Sequence, residues 1–145
     1  MGLALAGLVG ACASNRTPER SFTTRAEAEA AGMFDAAGVP AALVPASAQQ
    51  LRERRDLRTG AVWARFEFAP GDRPVPAPLC EAVAEPRLAG SATRGIGWWP
   101  ELLRSDPATA RQHFDLFACR DDAGGAPAVL AVHKAMPTAF YWRSR

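Results

Sequence analysis

Histidine and cysteine are scarce in this 145-residue chain. His113 and His133 are the only histidines, and cysteine occurs at 12, 80 and 119 alone. No two cysteines form a CxxC pair, so the zinc-site and dithiol-redox readings lack their spacing. There is no HExxH, no serine nucleophile elbow, and no glycine loop ending in the lysine that would cradle a phosphate. An excess of charge of one sign is missing too: 17 basic and 15 acidic residues leave a net +2. The most basic run, RERRDLR over 52–58, is interrupted by Glu53 and Asp56. A nucleic-acid partner needs a more concentrated patch, and none is expected. Apolar runs stop short of the roughly 20 residues that a membrane-spanning helix requires.

What the chain does have suits one folded domain. It is 48% hydrophobic and 22% charged, and four Trp and seven Phe are enough to anchor a core. Its start, MGLALAGLVGACA, is apolar, rich in small residues and uncharged until Arg16. That composition matches the hydrophobic and cleavage regions of an export signal, although no basic segment precedes it. The order Val9-Gly10-Ala11-Cys12 resembles a bacterial lipobox, with Val in the usual place of Leu. In such a signal the cysteine is lipidated and becomes the new first residue, and acyl chains then hold the protein to the membrane. Competing readings are a plain signal peptide with an incidental Cys12, hence a secreted protein, and a cytosolic chain with an apolar first turn. Lipidation of Cys12 would leave Cys80 and Cys119 as an even remainder, a candidate disulfide in an oxidising compartment. The alternative for them is two unrelated buried thiols. The expected organisation is a signal and lipobox region over 1–12, a short tether over 13–22, and one domain over 23–145.

The clearest periodic stretch is AVWARFEFA at 61–69. Val62, Ala64, Phe66 and Phe68 alternate with Trp63, Arg65 and Glu67, as in a half-buried strand. Ahead of it, Thr24 and Glu27 make a capping box. The helix it opens has a predicted stripe of Ala26, Ala30, Met33, Phe34 and Ala37, with Gly32 as a cost and Gly38 and Pro40 as its end. A helical turn over 48–50 and a strand over 51–56 are predicted next, with Leu51 and Leu57 inward and the arginines outward. Residues 70–78 are a proline-rich loop and 79–84 a short helix candidate. Residues 87–97 read as loop and 101–104 as about one helical turn. Segments 112–120, 128–133 and 139–143 read as strands, with a glycine-rich turn over 121–126. The expected fold is α+β: an antiparallel meander of four to five strands, with the N-terminal helix and short central helices covering one face.

Two groups of side chains could carry function. His113 and His133, each on a predicted strand, could meet Asp115 and form a weak metal or proton-transfer group, the basis of a small hydrolase-like alternative. Trp98 and Trp99 between Gly97 and Pro100 cannot both face one way. A surface Trp near Trp63 or Trp142, fringed by Arg94, Arg104 and Arg111, would make a recognition patch. The bland alternative is two anchors at the edge of the core.

The VGAC run, the LVPASAQQLRERRDL segment leading into WARFEF, and the closing VLAVHKAMPTAFYWRSR together resemble a family of small bacterial lipoproteins and exported proteins of unknown function. The resemblance spans nearly the whole mature chain and carries no active site with it. It implies an exported single domain facing the periplasm or the cell exterior. Beside it, the lipobox-like run predicts a tie to membrane lipid through Cys12, and the expected role is a non-catalytic one without a cofactor: binding an envelope protein or a small ligand, or serving as a purely structural envelope factor.

Overall fold

The computed structural model describes residues 18–87, 93–120 and 127–144. Cys12 and its lipobox-like run, the 121–126 turn and residues 88–92 lie outside them. Alternation organises the centre as expected. In β3 (Ala61–Glu67), Val62, Ala64 and Phe66 are buried toward one layer and Ala61 and Trp63 toward another. Around β3 lie β1 (Glu19–Thr24), β2 (Gln49–Asp56), β4 (Cys80–Ala82), β5 (Phe114–Cys119), β6 (Ala128–His133) and β7 (Thr138–Arg143). They form one seven-stranded sheet in the order β1-β2-β3-β7-β6-β5-β4, with every pair antiparallel. The chain runs inward from one edge through β1, β2 and β3. It then crosses to the far edge and returns through β4, β5, β6 and β7, which closes on β3.

The four- to five-stranded expectation is therefore corrected to seven strands. Two strands went unread for different reasons. β1 occupies residues 19–22 of the expected tether, and its burial alternates only weakly because it is an edge. β4 replaces the helix predicted over 79–84 and is three residues long, too short for a period to show. The helical turn predicted over 48–50 is also absent: β2 starts at Gln49, and Gln50 takes a positive φ of 50° where the register to β3 shifts.

Covering both faces is the second correction. On one face, Leu51, Val62, Ala64, Phe66, Leu130 and Tyr141 pack under Ala28 of α1 (Arg25–Ala30) and under Met33, Val39 and Leu43. On the other, Trp63, Val129, Phe140 and Trp142 pack under Ile96, Trp99, Leu103 of α2 (Leu102–Ser105) and Ala110 of α3 (Pro107–His113). β6 and β7 are thus sandwiched, and their apolar runs lack alternation for that reason.

The helices end where local chemistry ends them. Thr24 Oγ1 accepts from the Glu27 N–H, while the Glu27 carboxylate reaches back to the Thr23 N–H. At the other end Gly32, at φ 80°, closes a Schellman turn: its N–H bonds to the Glu29 carbonyl and the Met33 N–H to the Ala28 carbonyl. Gly32 is thus the stop, and α1 spans six residues with Ala28 inward and Ala26 and Ala30 exposed. Asp106 caps α3 through the Thr109 N–H, with Pro107 at the first helical position. Asp106 is held below the usual carboxylate range, chiefly by the Thr109 side chain. Among the described residues no helix is long and apolar enough to cross a membrane.

Candidate functional site

Alternation along β2 puts Leu51, Glu53 and Arg55 on one face, above the first core. Glu53 lies opposite Arg20 on β1 and Ala64 on β3, and only 1% of it is exposed. A buried carboxylate is costly unless charge and hydrogen bonds compensate it. Here they do. Glu53 Oε1 accepts from Arg20 Nε and Nη2 (3.2 and 2.6 Å) and from Arg55 Nε (2.9 Å), and Oε2 accepts from Arg55 Nη2 (3.0 Å). Arg55 also grips both carboxylate oxygens of Asp35 and the carbonyls of Gly32 and Met33. Burial pulls the Arg55 guanidinium down, but the bonds and charge of Glu53, joined by Asp35, outweigh it and raise it. The group lines a cavity of about 250 Å³ together with Pro18 and Leu57.

Chemically the cluster is a strut. Both Glu53 oxygens are engaged by guanidinium N–H groups, so the carboxylate is spent on holding the two arginines. What it does is join β1, β2 and the chain after α1. Arg143, buried at the end of β7, donates to the Ala37 and Gly38 carbonyls and ties down the same segment. Gly38 lets that segment sit close: a Cβ there would stand 2.0 Å from the Met33 carbonyl oxygen and 2.5 Å from Arg55 Nη2. Strand alternation was the available signal, because Leu51 inward places Glu53 and Arg55 inward with it. Arg55 therefore turns inward, against the expectation that the arginines of this strand face outward.

The histidines are kept apart in role. His113 ends α3 and is exposed, rather than lying on a strand. His133 closes β6, stacks edge-on against Phe114, and uses Nδ1 to accept from the Ala135 and Met136 N–H groups (3.1 and 2.9 Å). Its pKa is pushed down by burial first, then by the charges of His113 and Arg73. Asp115 faces the opposite side of β5 and pairs with Arg73. Among the described residues no group of three metal-ligating side chains is assembled.

Trp99 and Trp63 are buried in the second core, where Trp99 meets Phe140 and Trp142 edge to face. Trp98 is half-buried and donates from Nε1 to Glu19. Arg94 is exposed. Cys80 and Cys119, direct partners across β4 and β5, are joined as a disulfide. No family model, curated protein or solved structure matches the chain.

Proposed function

We propose that this chain is an exported domain of the bacterial envelope, held to the membrane by an acylated Cys12, that works by binding an envelope component or small ligand rather than by catalysis. The observation that carries the reading is the Cys80–Cys119 disulfide. It accounts for two of the three cysteines and is the chemistry of an oxidising compartment. Cys12 is then the one cysteine left over, and it follows the small residues Gly10 and Ala11 at the end of the apolar start. The cavity beside β1 and β2 supplies a concave surface for a ligand, while the charges that line it brace one another rather than stand free.

The test is the intact mass and membrane partition of the chain made in a bacterium that processes lipoproteins, with its native upstream region. A chain beginning at Cys12 with added acyl mass, and released from the membrane by Cys12→Ala, is the expected result. An unprocessed chain in the soluble fraction would overturn the reading.

A further inference from the structure

One end of the sheet gathers exposed groups that the fold does not use. The Arg55 N–H bonds to the Pro18 carbonyl, so the chain ahead of residue 18 meets the domain beside the β2–β3 turn. Leu57 stands in that turn and is 78% exposed, more than any other large apolar side chain among the described residues. Arg58 follows it and is exposed. At the same end, Arg54 donates to the Gly95 carbonyl and Trp142 Nε1 to the Arg87 carbonyl. Those bonds bring the exposed Arg94 and Arg87 to where β2 and β7 finish. Of the nearby acids, Glu53 and Asp35 are neutralised by Arg20 and Arg55, whereas Asp56 and Glu19 accept from neutral N–H groups and keep their charge, as does the exposed Glu85 beside Arg87. None of Arg58, Arg87 and Arg94 makes a salt bridge within 4 Å among the described residues, although Asp56 is held below the usual carboxylate range by the Thr59 N–H first, with help from the Arg58 charge.

We infer that this end is a bilayer-facing surface, with Leu57 entering the interface and Arg58, Arg87 and Arg94 meeting anionic lipid headgroups. The inference rests on the anchor reading above. Six residue steps separate Cys12 from Pro18, and a chain of that length reaches at most about 20 Å. An acylated Cys12 therefore holds this end, not the His133 end, against the membrane. One leucine and three arginines bind weakly by themselves, about fivefold per arginine at an anionic surface. The anchor raises their effective concentration there.

The experiment uses the full chain carrying Cys12→Ala, which cannot be acylated. It is sedimented with phosphatidylcholine vesicles and with vesicles in which part of that lipid is replaced by phosphatidylglycerol. The apolar first residues can partition into both, so the readout is the ratio of the two affinities. A ratio of about tenfold or more is expected at low salt, and it should collapse at about 0.5 M salt. Arg58→Glu with Arg94→Glu should bring the ratio close to one, and Leu57→Asp should weaken binding to the anionic vesicles several-fold. All three substituted sites are exposed, so thermal melting should be unchanged. A ratio near one for the parent chain, or a ratio that these changes leave intact, would overturn the inference. That failure is separable from failure of the anchor, which is read from acyl mass on the native Cys12.

Discussion

Two side chains show how much a single residue decides here. Glu53 is the more consequential. Its charge compensates Arg55, which is largely buried, and Arg20, which is about one-third exposed. Glu53→Gln keeps the shape and removes the charge, leaving Arg55 with Asp35 alone. The expected loss is about 3 kcal/mol of stability, trimmed from the usual cost of a broken buried pair because Arg20 reaches water. Denaturant unfolding of the variant measures it. His133 gives a pH dependence. Its folded pKa lies below its unfolded one, so folding favours the neutral ring. The stability this contributes is present above the ordinary histidine range and is lost as pH falls through that range toward the lower folded value. The melting temperature should therefore drop between about pH 7.5 and 5.5. His133→Asn retains an acceptor for the turn but cannot titrate, and its melting temperature should fall less over the same interval.

At the scale of elements, the two edges of the sheet are secured differently. At one edge β1 is held by Arg20 and by the cap of α1. At the other, three-residue β4 is fastened to β5 by Cys80–Cys119, whose members are 39 residues apart. Closing a loop of that length contributes about 4 kcal/mol on the chain-entropy account. Replacing both cysteines by alanine should lower the melting temperature by about 10 °C, read by calorimetry without reductant. A smaller effect belongs to Gly32, whose positive φ ends α1. Gly32→Ala should cost about 1 kcal/mol, because an L side chain is strained there.

These elements also explain what could be read in advance. β2, β3, β5 and the closing hairpin announced themselves by alternation or by apolar runs between turns. The cap of α1 was legible because Thr24 and Glu27 act locally, and Asp106-Pro107-x-Thr109 offered a similar local sign of α3 that went unread. β1 and β4 were hidden because edge strands carry few inward residues, and β4 pairs through a cysteine far along the chain. The cover on the second face was hidden too, since Trp99 and Trp142 are brought together only by long-range folding. Half of the charged site was legible, as Glu53 and Arg55 share the Leu51 face. Arg20 and Asp35 were not, because no local rule links them to β2.

At the scale of the whole molecule, the proposed export and anchoring would give each of the three cysteines a role. A sandwiched sheet with a disulfide at one edge and a basic, leucine-tipped end where the N-terminal segment meets it suits a domain displayed from a membrane. The most direct measurement is a count of free thiols. The chain would be taken from bacterial membranes, denatured without reductant and alkylated, and the added mass read on the intact protein. Under the proposed anchoring, no cysteine is alkylated on a chain whose mass starts at an acylated Cys12, because Cys80 and Cys119 are bonded to each other and the Cys12 sulfur would carry lipid. One alkylated site, at Cys12, would contradict the anchor. Three would contradict export altogether.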